Sequence, residues 1–257
     1  MNVDAFLADA GRLPVAPLET ILGDAGSRGG LVVVAPHPDD ESLGCGGLIA
    51  EARRLGRDVR LVVVTDGCGS HTHSALYPPE RLRALREDET RAAVAELGLA
   101  PEHVRFLRLP DAHAPSAGPE AEAAATAILE EADACGAGAV FVTWGHDPHC
   151  DHKAAAAIVA LAQGLRPALP AFAYPVWGFT LPPDTEVGDA PEGYRLDVTA
   201  HRSAKAKAVA AHRSQTTDLI ADDPTGFRLA PEMLAHFEGP YEIFLRMRPA
   251  VSGGAPK

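Results

Sequence analysis

The chain has 257 residues, 46% of them hydrophobic and 23% charged, and its 23 basic and 35 acidic side chains leave a formal charge of −12. That composition is ordinary for a folded globular protein and excludes wholesale disorder, and the length fits one large domain or two small ones. The acidic balance, with no lysine- or arginine-rich block, argues against nucleic acid or anionic membrane as the main partner and favours a neutral or cationic substrate over a polyanion.

Residues 1–30 read as a glycine-containing lead-in, with neither the basic nor the apolar region of a signal peptide. The β-prone run 31–35 predicts a strand, and 42–55 a helix. A second strand is expected over 59–65, followed by a long helix over 78–97 with Leu82, Leu85, Ala92, Ala93 and Leu97 on one face. Then come a strand at 104–107, an alanine-rich helix at 119–134, a strand at 139–143 and a helix at 151–163. Strands alternating with helices imply βαβ units, hence an α/β, Rossmann-like fold with a mostly parallel sheet and helices on both faces.

Beyond residue 165 the pattern changes. Strands at 172–176 and 194–198 flank a Pro/Gly-rich loop at 177–193, a helix covers 200–213, and 241–247 is a closing strand. This stretch reads as a small C-terminal α/β annex or cap (166–250) on the core (1–165), within one domain spanning 1–250. Residues 251–257 are expected to form a disordered tail. No apolar run approaches the roughly 18 residues of a membrane span. The four cysteines lack metal-ligand or redox spacing, so a reducing, cytoplasmic setting is expected. Oligomeric state is left open, a homo-oligomer included.

Two polar clusters end two of the apolar strands. Pro36-His37-Pro38-Asp39-Asp40-Glu41 places one imidazole and three carboxylates directly after the first strand. The prolines restrict the backbone on either side of His37. After the 139–143 strand, positions 146–152 hold His146, Asp147, His149, Asp151 and His152. In an open parallel sheet, ligands bind at the carboxyl ends of the strands. The crossover rule puts the loops 36–41, 66–77 and 144–152 on one edge, where they should converge. Two imidazoles and one carboxylate leave open positions on a divalent cation, as catalytic zinc sites require. The first loop would supply His37 and an aspartate, and the second a further histidine.

His37-Pro38-Asp39-Asp40-Glu41, followed by Leu43-Gly44-Cys45-Gly46-Gly47, resembles the signature of the LmbE/PIG-L family of zinc-dependent N-deacetylases. Further matches follow in order: Thr65-Asp66-Gly67, Arg86 with Glu89, Leu109-Pro110-Asp111, His149-Cys150-Asp151-His152, and Lys207 with His212-Arg213-Ser214-Gln215. The resemblance implies that His37, Asp40 and His152 bind one Zn2+, or another divalent metal such as Fe2+. Asp39 would be the general base. A protonated His149, oriented by Asp151, would stabilise the oxyanion or donate to the leaving amine. The implied substrate is a small N-acetylated amino sugar, glycoconjugate or secondary metabolite.

Other residues carry less chemistry. His146 competes with His149 on spacing. His71 and His73 sit in a polar loop suited to covering a substrate, Trp177 is placed to stack on a sugar face or to pack, and Arg86 either meets substrate or pairs locally with Glu89. Cys150 stands where the family commonly has proline, close enough to the ligands for an adventitious thiolate. The glycines at 44, 46 and 47 fall inside a helix, where they serve close packing rather than dinucleotide binding. An amidase acting on a thiol or sugar conjugate, an Fe(II) oxygen enzyme and a non-catalytic metal- or sugar-binding module are the competing readings.

Overall fold

The computed structural model describes residues 1–23 and 29–248, so the expected tail at 251–257 lies outside the described residues. Strand β1 (Gly30–Ala35) is central and pairs in parallel with β2 (Val59–Thr65) and β4 (Ala137–Thr143). Outside these, also parallel, lie β3 (Val104–Leu109) against β2 and β5 (Ala171–Tyr174) against β4. The last strand in sequence, β7 (Tyr241–Arg246), runs antiparallel to β5, and β6 (Gly193–Asp197) antiparallel to β7. Among the described residues the order is therefore β3-β2-β1-β4-β5-β7-β6 in one seven-stranded sheet. The C-terminal strands extend the sheet rather than forming a separate cap.

Side-chain alternation along β1 divides the core into two layers. Leu31, Val33 and Ala35 face one side, where they pack with Leu48 and Ile49 of α3 (Asp40–Arg54), Val94 of α4 (Pro79–Glu96) and Ala208 of α7 (Arg202–Ala211). Val32 and Val34 face the other, against Ile128 of α5 (Pro119–Cys135) and Ile158 of α6 (Cys150–Leu165). Both faces are covered, which is why the central strands are continuous apolar runs.

The glycines of α3 act as packing residues, as expected. A Cβ on Gly44 would lie 2.1 Å from the Tyr174 ring, and one on Gly47 would lie 2.4 Å from Val198. Tyr174 in turn donates its hydroxyl to the carbonyl of Val34 at 2.9 Å.

Four features depart from the sequence expectation. The lead-in contains α1 (Val3–Ala10) and α2 (Leu18–Leu22). Asn2 caps α1 by accepting the Ala5 N–H, and Val3, Phe6 and Ala10 form its buried face, a helical pattern the glycines nearby obscured. Helix α3 begins at Asp40 rather than Ser42, because two carboxylates in a first turn complement the helix N-terminus. The expected helix at 200–213 is broken at His212 (φ −77°, ψ 61°), which separates α7 from the short α8 (Arg213–Thr216). A further short helix, α9 (Pro231–Ala235), precedes β7.

Candidate active site

Strands β1 and β4 are adjacent, but the chain leaves them in opposite directions across the sheet, so a crevice opens between their carboxyl ends. The turn after β1 fills one side of it. Asp39 has φ 132° and ψ −29°, a region that favours glycine; such backbone costs on the order of 1–3 kcal/mol and persists only where its surroundings hold it. They do so here. The Asp39 N–H donates to Glu41 Oε2 at 3.0 Å, while Glu41, fully buried, also accepts from Ser42 Oγ at 2.7 Å and His212 Nε2 at 2.9 Å. Arg86 Nη2 donates to the Pro38 carbonyl at 2.6 Å.

Within this frame Asp40 Oδ2 is shared between two imidazoles. It lies 3.2 Å from His37 Nδ1 and 3.3 Å from His152 Nε2. The other nitrogen of His152 is 2.9 Å from Asp147 Oδ2, which also accepts the backbone N–H groups of Val176 and Trp177 at 3.0 and 3.1 Å. A proton on Nδ1 for Asp147 leaves the Nε2 lone pair facing a carboxylate oxygen, and this buried Nε2 makes no hydrogen bond. Two acceptors set against each other in a dry site fit a cation between them. Burial pulls the His152 pKa down, but Asp40 and Asp147 outweigh it and lift it to about 9, so the two carboxylates draw positive charge, a second proton or a cation, to this Nε2. His37 is likewise raised despite burial, by Asp111, Asp151 and Asp40. The site is short of positive charge, and the donor set suits a divalent metal.

Asp39 is held by a different partner. Arg86 Nη2 lies 3.1 Å from its Oδ2, and Nη1 donates to the Gly67 carbonyl at 2.9 Å. Burial pushes the Asp39 pKa up to about 7, with Arg86 pulling against it and Asp40 adding to it. Glu89, one turn along α4, instead accepts the Ser214 N–H and hydroxyl at 2.8 and 2.6 Å. The local Arg86–Glu89 ion pair is thus replaced by two long-range anchors, and Arg86 sits in the crevice wall.

His149 and Asp151 differ from expectation. His149 is the N-cap of α6: its Nδ1 accepts the Asp151 N–H at 3.2 Å, so the ring's proton belongs on Nε2. Burial, with His37 and His152 nearby, lowers its pKa. A neutral Nε2–H ring fits this position better than the expected imidazolium. Asp151 orients it through its backbone N–H alone, its carboxylate lying 3.9 Å from His149 Nδ1. Its carboxylate accepts the N–H groups of Ala112 and Ala114 at 2.6 and 3.0 Å and meets His37 Nε2 at 3.1 Å. Asp111 Oδ1 approaches that same nitrogen at 3.3 Å.

The three expected loops converge on a cleft of about 170 Å³, lined by His37, Asp39, Asp40, Arg86 and His149 among others. Trp177 lines it too, whereas the remaining candidates stand back. His71 is buried beneath the neighbouring loop with Nδ1 3.1 Å from Ser70 Oγ, and the His73 side chain is 78% exposed. His146 is exposed and tilts against Trp144. Cys150 is exposed, its Sγ 3.4 Å from the Ala112 carbonyl, and it stands outside the two groups of described residues whose donor atoms lie within 4.8 Å of one another, His37–His149–His152 and His37–Asp111–His149–Asp151. Lys207 is exposed near Glu96; the buried lysine is Lys205, which donates to Glu242 at 2.7 Å. A larger groove of about 550 Å³ runs along α7 and contains none of these histidines or aspartates.

Sequence reasoning gave no site role to Asp111, Asp147, Gln215 or Phe227. Asp111 and Gln215 stood inside matched motifs and line the cleft with Phe227. Asp147, two residues before His149, carried only its place in a polar cluster as a signal.

A curated relative, the 1D-myo-inositol 2-acetamido-2-deoxy-alpha-D-glucopyranoside deacetylase of Nocardioides sp., is 41% identical over 75 residues, 27% of this chain and 25% of that enzyme. The match thus spans about a quarter of that relative's length. Among solved structures, N,N'-diacetylchitobiose deacetylase from Pyrococcus horikoshii aligns over 90% of this chain and 89% of its own at 22% identity and TM-score 0.63. The 4-carboxy-2-hydroxymuconate hydratase from Pseudomonas putida aligns over 89% of this chain and 100% of its own at 18% identity and TM-score 0.61. These two show the fold, which hosts more than one chemistry. The PIG-L family model, described as GlcNAc-PI de-N-acetylase, matches residues 32–163, and the chain belongs to that family.

Proposed function

We propose that this chain is a metal-dependent hydrolase that removes the acyl group from an N-acetylated amino sugar or a related glycoconjugate. The observation that carries the reading is Asp39: a buried carboxylate beside the His37–Asp40–His152 set, tied to Arg86 and so left out of that set. A module that only bound metal or sugar would have no use for it. Family membership and the relative named as an acetamido-sugar deacetylase point the same way.

His37, Asp40 and His152 would hold the cation, and two imidazoles with one carboxylate match catalytic zinc. What a divalent cation supplies there, when bound, is acidification of water and polarisation of an amide carbonyl. Asp39 takes the proton from the attacking water and returns it toward the leaving amine. Arg86 holds the Asp39 carboxylate in place and, with it, the turn's strained backbone. His149 presents a neutral Nε2–H donor to the carbonyl oxygen as it gains charge. Asp147 and Asp151 fix the rings of His152 and His37. The cytoplasmic setting rests on the sparse cysteines.

The test is metal analysis of the purified protein with amine release from a panel of N-acetylated sugars and glycoconjugates. We expect stoichiometric amine and acetate, abolished by chelation and restored by a divalent metal. A metal-loaded protein that releases amine from no member of the panel overturns the reading.

A further inference from the structure

The cleft is narrow and its mouth is aromatic. Its volume of about 170 Å³ falls below the roughly 300–1,000 Å³ of pockets that enclose a drug-sized ligand. A volume of that size suits one sugar ring, with the group to which the sugar is linked outside the cleft.

Trp177 and Phe227 both line the cleft, with ring centroids 5.6 Å apart at 74°. Phe227 is 38% exposed, a large apolar ring left in water at the entrance. Neither residue is loosely held. The Trp177 backbone is tied by its N–H to Asp147, the same oxygen that receives His152, so this ring is positioned with the metal-competent set. The Phe227 N–H donates to the Ser70 carbonyl at 2.7 Å.

Residues 222–227 are fastened to 70–76 at several further points. Asp222 accepts from the Ser74 hydroxyl and the Leu76 N–H, at 2.8 and 2.9 Å. Asp223 accepts from the His73 N–H at 2.9 Å. Gly226 fits against His71 so closely that a Cβ there would lie 2.2 Å from the ring. His71 and the backbone of His73 therefore serve to carry the Phe227 segment over the cleft.

Two aromatic rings from segments far apart in sequence, each braced, make a preformed stacking surface at low entropic cost. We propose that Trp177 and Phe227 form a subsite for the group to which the amino sugar is linked, and that this group is an uncharged ring with a flat apolar face. The preferred substrate is then a glycoside of the N-acyl amino sugar rather than the free sugar. Three carboxylates (Asp39, Asp40 and Asp111) line the cleft with one guanidinium (Arg86), a balance that disfavours an anionic attachment. The inference rests on reading the cleft as an N-acyl amino sugar site.

The experiment compares N-acetylglucosamine with its phenyl glycoside, by calorimetric Kd and by amine release, in the wild type, Trp177→Ala, Trp177→Phe and Phe227→Ala. We expect the phenyl glycoside to bind about tenfold more tightly than the free sugar. Each alanine variant should lose most of that ratio, and Trp177→Phe should keep most of it. Equal Kd values for the two sugars in the wild type overturn the subsite even if both are deacetylated. A ratio that survives both alanine variants overturns it as well. A tighter phenyl glycoside with no amine released from either sugar supports the subsite and counts against the deacetylase reading alone.

Discussion

Asp147 Oδ2 lies 2.9 Å from Nδ1 of His152, and both side chains are fully buried. This single oxygen sets the tautomer of a metal-competent histidine and, through the Val176 and Trp177 amides, the path of the chain entering the 177–193 loop. Removing a carboxylate that orients a ligating histidine typically lowers metal affinity 10–100-fold. Asp147→Ala should therefore bind divalent metal about 10–100-fold more weakly in a chelator competition. It should also melt earlier, since the buried Val176 amide and the half-buried Trp177 amide lose their acceptor. Unchanged metal affinity would remove Asp147 from the site.

Asp39→Asn should keep its metal and lose turnover by about 10²–10⁴-fold, the usual share of general acid–base catalysis. His152→Ala should instead lose the metal. Near-normal turnover in the first variant, or a full metal complement in the second, would reassign those roles.

Arg86 is buried and bonds to Asp39 and to the carbonyls of Pro38 and Gly67. Breaking a buried pair by deleting one partner costs about 3–5 kcal/mol. Arg86→Met should lower unfolding stability by about that amount, read from denaturant midpoints, with activity lost in parallel. A variant of wild-type stability would mean that the turn after β1 holds itself.

Gly44→Ala brings a methyl group into the Tyr174 ring, and overpacking of this kind costs about 1–3 kcal/mol or more. Combining it with Tyr174→Leu should recover part of the loss. Additive destabilisation in the double variant would place the clash elsewhere.

Glu87 accepts two hydrogen bonds from Arg108, at 2.6 and 3.0 Å, and one from Arg91 at 3.0 Å. The Arg108 bond first, against burial and with Arg91 helping, lowers its folded-state pKa. Its contribution is therefore present above the unfolded pKa of about 4.3 and fades as pH falls through the lowered value. Glu87→Gln should cost stability at pH 7 and progressively less below pH of about 4. A difference from wild type that does not vary with pH would show that the pairing is not electrostatic.

How far the molecule was legible in its sequence follows from the range of the forces. The central strands and their helices are readable because apolar periodicity is local: the 59–65 strand is the expected one at both ends, and the other core elements agree to within about three residues. Helix α1 escaped because the glycines that follow it drew the reading toward a loop, although Asn2, Val3, Phe6 and Ala10 carried a helical signal. The two polar clusters were visible for the same local reason, each lying directly after an apolar strand.

The long-range partners of those residues are not visible in the sequence, because they lie far along the chain. His37 meets Asp151 across 114 positions and Glu41 meets His212 across 171. Arg86 turned away from its helical neighbour Glu89 toward Asp39, since a buried guanidinium must satisfy its donors on whatever acceptors the fold supplies. The sequence by itself determined a parallel α/β sheet and the ligand types at its carboxyl edge, for both follow from short-range pattern and residue chemistry. Only the tertiary structure decided which carboxylate orients which ring and that β5, β7 and β6 extend the sheet. It also set Trp177 against Phe227 over the cleft. Those outcomes depend on packing between distant segments, where burial makes every unpaired polar group costly and leaves few arrangements that pair them all.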